Sequence, residues 1–155
     1  MRKSYKGTYR LKNRAKYKGD PTKIVWRSLL ERSFMVWCDN NPNIIQWQSE
    51  EVVIPYISPV DGKKHRYFPD FTITNTENET TIIEVKPESQ TMPPIEPKKE
   101  TRKTKLRYLN ECKTFVVNTA KWDAALAYCN RKGYKFSIIT EHDIKNIVKT
   151  GRKNK

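Results

Sequence analysis

Asp70, Glu84 and Lys86 are the residues of this chain whose types and spacing could do chemistry. Asp70 opens the run Asp70-Phe71-Thr72-Ile73-Thr74, and Glu84 and Lys86 close the run Thr80-Thr81-Ile82-Ile83-Glu84-Val85-Lys86, with the polar tip Asn75-Thr76-Glu77-Asn78-Glu79 between them. Two stretches rich in β-branched and aromatic residues around turn formers predict a β-hairpin. Side chains alternate faces along a strand, so Glu84 and Lys86 point together, and antiparallel pairing brings Asp70 beside them. Carboxylates held this close resist ionisation unless a cation compensates. A hard divalent ion with oxygen ligands meets that need: magnesium with retained waters, or manganese in its place. Beside a phosphodiester, such an ion neutralises phosphate oxygens, acidifies a bound water and stabilises charge on the leaving oxygen. Lys86 is then placed to act as base or proton relay, or, if it stays charged, as a stabiliser of the transition state.

The rest of the chain narrows the substrate. With 155 residues it is one domain's worth of sequence. Its 31 Lys and Arg against 17 Asp and Glu leave a net charge of +14, which points to a polyanionic partner, nucleic acid before an acidic membrane surface. No apolar run approaches a membrane span, and Met1-Arg2-Lys3 leads into polar sequence rather than the apolar core of a signal peptide. Cys38, Cys112 and Cys129 are widely spaced and carry no zinc pattern, so free thiols in a reducing compartment are expected. His65 and His142 stand far apart, with nothing around them that suggests a nucleophile triad.

The elements that must position the acids follow in order. Residues 1–19 read as a basic arm with too little apolar character for a core; either its Arg10, Lys12, Arg14, Lys16 and Lys18 lie along phosphates, or it is a solvated tail or an arm packed on its own domain or a partner protein. A domain over 20–150 and a basic tail over 151–155 complete the division. Asp20-Pro21 predicts the start of a helix running to about Asp39, with Trp26, Leu30, Phe34 and Trp37 as its apolar stripe. In that helix Glu31 reads as a surface partner of Arg27. Strands are expected over 44–48 and 52–57, then the hairpin, then a proline-rich loop from Pro87 to Pro97. A helix from about Lys98 to Cys112 carries Lys98, Lys99, Arg102, Lys103, Lys105 and Arg107, further candidates for DNA contact. Phe115 to Asn118 reads as a strand, Thr119 to Lys132 as a helix stopped by Gly133, 134–140 as a strand, and Glu141 to about Lys149 as a last helix. This order predicts a single α/β domain, a mixed sheet flanked by helices with a parallel strand pair beside the hairpin.

Pro69-Asp70 followed by Glu84-Val85-Lys86 resembles the PD-(D/E)xK motif of the restriction-endonuclease-like nucleases. The resemblance implies that Asp70 and Glu84 bind magnesium, that Lys86 assists hydrolysis, and that Glu31, on the preceding helix, is a further metal ligand. Over nearly the whole chain, Tyr17-x-Gly19-Asp20-Pro21, Arg27-Ser28 with Glu31, Asn41-Pro42-x-Ile44-Ile45-x-Trp47-x-Ser49-Glu50, Val53-Ile54-Pro55-Tyr56, Gly62-Lys63-Lys64-x-Arg66-Tyr67-Phe68-x-Asp70 and Val117-Asn118-Thr119-x-Lys121-Trp122 are similar to the head completion nucleases of T-even-type tailed phages. The core is also similar to the endonuclease subunit of heteromeric transposases. The phage family implies a nuclease with endonuclease and possible exonuclease action on packaged DNA, working in the host cytoplasm or on the virion, with capsid, portal or neck proteins as partners. DNA contact is expected to be largely independent of sequence, since no base-reading motif is present. Two rival readings remain at this point: a DNA-binding or virion structural protein with a degenerate site, and an acid–lysine cluster that is only structural.

Overall fold

The computed structural model describes residues 6–153, with side chains described through residue 147. In chain order the elements are β1 (Gly7–Thr8), β2 (Val25–Trp26), α1 (Leu29–Asn40), β3 (Ile44–Ser49), β4 (Ile54–Ile57), β5 (Lys64–Tyr67), β6 (Phe71–Asn75), β7 (Thr80–Val85), α2 (Arg102–Lys132), β8 (Lys135–Ile139) and α3 (Glu141–Lys153). The main sheet runs β3-β6-β7-β8, antiparallel except for the parallel β7–β8 pair, and β4 and β5 form a separate hairpin. This is the mixed α/β arrangement expected, with one difference in how the parallel pair arises. β8 pairs with the hairpin strand β7 itself, and the crossover between them is a single helix.

The pleat decides what each face of the sheet does. Phe71, Ile73, Ile83 and Val85 point to one side, where Trp47 joins them and Phe34, Met35 and Cys38 of α1 pack. Ile82 points to the other side, into a second core of Ile54, Tyr67, Trp122, Ala125 and Cys129 supplied by the β4–β5 hairpin and α2. Glu84 follows Ile82 on that second face. Asp70 falls opposite Glu84 when the register of Phe71 with Ile83 is extended by one pair.

Three expectations are corrected. The first helix starts at Leu29, not at Asp20-Pro21, because Ser28 takes the cap: its extended backbone lets Oγ accept the Glu31 N–H at 3.1 Å. Asp20 instead accepts from the N–H and hydroxyl of Thr22 at 2.9 and 2.6 Å, closing a turn, and Trp26 ends in a short strand. Next, the strand expected at Phe115–Asn118 is the middle of α2. No Gly or Pro interrupts 102–132, so a Thr101–Thr104 capping box at one end and Gly133 in the left-handed region at φ 73° at the other define one continuous helix. The β-branched pair Val116-Val117 is a weak preference that such a frame overrides. Finally, α3 continues to Lys153 and takes up residues 151–153 of the expected tail, while 154–155 lie outside the described residues.

Of the readings open for the N-terminal segment, packing on its own domain holds from Gly7 onward. β1 pairs with β2, Tyr9 is buried, and Leu11 and Tyr17 pack on the α1 core. Composition concealed this because the anchoring is polar. The buried Asp39 accepts from Tyr9 Oη at 2.8 Å, Lys12 N at 2.8 Å and Asn13 N at 3.0 Å. Arg2 and Lys3 lie outside the described residues.

Candidate active site

The hairpin β6–β7 brings the two acids together where the strand pairing ends. Asp70 Oδ2 accepts the Val85 N–H at 2.8 Å, which pins the aspartate side chain against the opposing strand. Glu84 is buried, and its Oε1 lies 3.7 Å from Lys86 Nζ. Lys86 itself is held by its own N–H, which donates to Ile139 O at 2.9 Å and extends the parallel pairing to β8. The face relation expected for Asp70, Glu84 and Lys86 therefore exists, with burial deeper than the alternation alone required.

Electrostatics marks the pair as short of positive charge. Burial, then the charge of Glu84, pushes the Asp70 carboxyl up to about 8, against the pull of the Val85 N–H and Lys86. Burial likewise raises Glu84, opposed by the Tyr67 hydroxyl, Lys86 and Lys121. Glu31 adds to both: its negative charge raises Asp70 and Glu84 alike. The first turn of α1 thus carries the third acid into the field of the pair. Glu31 Oε2 accepts the Arg27 N–H at 3.0 Å, which fixes the side chain at the helix start. Asp70 and Glu84, with Lys86 adjacent, form an oxygen pair suited to a hard divalent cation, while Glu31 acts on the pair through its charge.

Several neighbours were not singled out by sequence. Tyr67, at the end of β5, is buried and donates its hydroxyl to Glu84 Oε2. Lys121 of α2 lies over the rings of Tyr67 and Tyr56, 5.7 and 5.8 Å from their centroids. Arg27, expected as the surface partner of Glu31, gives that residue its backbone N–H and pairs its side chain with Glu50, and Glu31 and Asp70 add to the charges that favour its cationic form. Glu50 itself sits in the left-handed region at φ 54° and donates its N–H to Asp70 O at 3.1 Å. A non-glycine residue in that conformation beside an acidic cluster is a local cost that the surrounding bonds hold in place. The signal available in advance was slight: the run Arg66-Tyr67-Phe68 alternates faces toward Asp70, and Lys121 reaches the site only because α2 is continuous.

The basic residues divide by environment. Arg10, Lys12, Arg14 and Lys18 are exposed, as are Lys98, Lys99, Arg102, Lys103, Lys105 and Arg107. Lys16 leaves this group: its ammonium donates to the carbonyl oxygens of Cys38, Asp39 and Asn41 at 2.7, 3.1 and 2.7 Å, closing the C-terminal end of α1. The β4–β5 hairpin adds cations that sequence reasoning passed over. Lys64 and Arg66 alternate onto its outer face, exposed, and the Arg66 guanidinium lies 5.8 Å from the Phe68 ring centroid. Elsewhere, half-exposed Glu88 and Glu141 and exposed His142 bring their side-chain ligand atoms within 4.8 Å of one another, with His142 Nε2 2.6 Å from Glu88 Oε2. Among the described residues no helix is long and apolar enough to cross a membrane.

Comparison with known proteins gives two results. Residues 41–141, which include β3 through β8, match the family of TnsA-like endonuclease N-terminal domains. A protein of Enterobacteria phage T4 named head completion nuclease is 44% identical over 144 residues, covering 93% of this chain and 96% of the relative.

Proposed function

The chain belongs to the TnsA-like endonuclease family, whose fold is restriction-endonuclease-like, and on that footing we propose that it is a magnesium-dependent DNA nuclease acting in phage head completion. The observation that carries the reading is the pairing of half-buried Asp70 with buried Glu84, with Asp70 pushed up to about 8 and Lys86 as the adjacent cation. A protein keeps such an arrangement when a cation completes it, and the alternative of a purely structural ion pair would leave the acids better balanced.

In this reading Glu31, Asp70 and Glu84 hold magnesium, or manganese in its place. The bound ion supplies charge neutralisation on the phosphodiester and acidity to water. Asp70, pinned by the Val85 N–H, and Glu84, held by Tyr67, present fixed oxygens, so little reorganisation is needed at the moment of reaction. Lys86 Nζ stands beside Glu84 Oε1, placed to take a proton from the attacking water or to oppose charge developing on the phosphate. The phage T4 relative's name supports a nuclease of head completion; packaged DNA as substrate, and capsid, portal or neck proteins as partners, are what the family resemblance implies and belong to this proposal.

Plasmid nicking tests it. Wild type is expected to nick or linearise supercoiled DNA with magnesium and not in chelator. Lys86→Ala is expected to cut about a hundredfold more slowly with the fold intact by circular dichroism. Salt-sensitive DNA binding without cutting under any metal would instead make the protein a binding module with a degenerate site.

The DNA path is read from charge. Arg10, Lys12, Arg14 and Lys18 on one side, the α2 cations on another, and Lys64 and Arg66 on the hairpin that leads into Asp70 contact the backbone with little base preference. A second copy of a chain at +14 would bring like charge onto these surfaces, whereas a phosphate backbone complements them. Lys64→Ala with Arg66→Ala is expected to weaken binding in chelator and to lower the slope of log affinity against log salt by about two. An unchanged slope removes the hairpin from the path.

A further inference from the structure

We propose that Tyr67 is the positioning residue for Glu84, holding one carboxylate oxygen so that the other is presented to the metal, and that Lys121 clamps Tyr67 in that role. The inference rests on the nuclease reading, in which Glu84 is a ligand. Tyr67 is packed among Ile54, Ile82, Trp122, Ala125 and Cys129, an apolar setting in which its hydroxyl has to find a partner. That partner is Glu84 Oε2, while Oε1 faces Lys86 at 3.7 Å. The two oxygens of one carboxylate are therefore distinguished before any ligand arrives. Outer hydrogen bonds of this kind fix the plane and rotamer of ligating side chains.

Lys121 gives the tyrosine its orientation. Its ammonium stands 5.7 Å from the Tyr67 centroid and 5.8 Å from that of Tyr56, a cation over two ring faces contributed by β5 and β4. A cation over a phenol withdraws electron density from the ring and makes the O–H a better donor, here toward Glu84. The helix that crosses from β7 to β8 is thus part of the site as well as its cover.

The test is manganese binding by titration calorimetry on full-length protein without DNA, so that the readout is independent of cutting. Tyr67→Phe keeps the ring and loses the hydroxyl, and is expected to bind about 10- to 100-fold more weakly. Lys121→Met keeps the stem and loses the charge, with an expected loss of about two- to tenfold, and Lys121→Arg is expected to restore wild-type affinity. Wild-type affinity in Tyr67→Phe overturns the proposal. Unchanged or tighter binding in Lys121→Met overturns the clamp, the lysine then being only a charge that opposes the ion. If the wild-type protein shows no manganese binding that Asp70→Asn abolishes, the metal-dependent reading falls and this proposal with it. Intact wild-type binding with unaffected variants overturns this proposal alone.

Discussion

Asp70→Asn is expected to abolish metal-dependent cutting, by about a thousandfold or more, while making the metal-free protein more stable. Both effects have one cause. The amide keeps an acceptor for the Val85 N–H but removes a charge that burial and Glu84 oppose. The sign follows from linkage. Asp70 rises from 3.8 to about 8 on folding, so the folded protein holds this proton more tightly than the unfolded chain does. Its contribution is fully present below the lower value and is lost as pH rises through the upper one. Asparagine does not titrate, so the variant's advantage is smallest below about pH 4, grows steadily as pH rises and is largest above about pH 8, on the order of several kcal/mol. Urea denaturation in chelator across that range measures it. Magnesium is expected to reverse the order, since only wild type gains from binding an ion in the folded state. If the cluster were only structural, Asp70→Asn would be the less stable protein in chelator at high pH, and that result would sink the assignment.

The parts of this molecule legible in advance are those fixed by short periodicities. Alternation alone put Asp70, Glu84 and Lys86 on one face of a hairpin, and the register of Phe71 with Ile83 has that geometry. Glu31 read as surface decoration, and only the resemblance gave it a role; the structure carries it into the field of Asp70 and Glu84 by starting α1 at Leu29, which makes it a first-turn residue. What stayed hidden depends on distant partners. Phe115-Val116-Val117 has strand propensity, and the caps that keep it helical lie at Thr101 and Gly133. Tyr67 bonds to Glu84 and Lys121 acts on it through its charge, both from other elements, so no local spacing announces them. The packing of the basic arm stayed undecided for a related reason: its anchor is a buried carboxylate, and hydropathy counts a carboxylate as surface.

That anchor carries the second large effect. Asp39→Ala is expected to cost about 3–5 kcal/mol, comparable to breaking a buried charged network elsewhere in proteins. The aspartate is fully buried near the C-terminal end of α1, where the helix's own carbonyls repel a negative charge, so its bonds must outweigh both penalties. They do so by number: the Tyr9 hydroxyl and two backbone N–H groups converge on its oxygens, and Lys16 closes the adjacent carbonyls. Removing the carboxylate leaves three donors without an acceptor and the Lys16 cation without its compensating charge. Residues 7–17 are then expected to detach, which trypsin cleavage at Arg10, Lys12 and Arg14 in the variant but not in wild type would register. Asp39→Asn, which retains one accepting oxygen, should fall between the two. Equal denaturation midpoints for Asp39→Ala and wild type would mean that the segment is held by Tyr9, Leu11 and Tyr17 packing alone. Arg10, Lys12 and Arg14 are presented to solvent from this fixed segment, so the same variant separates a rigid phosphate-contacting surface from a loose one. Weaker DNA binding with manganese binding unchanged is the outcome a rigid surface predicts.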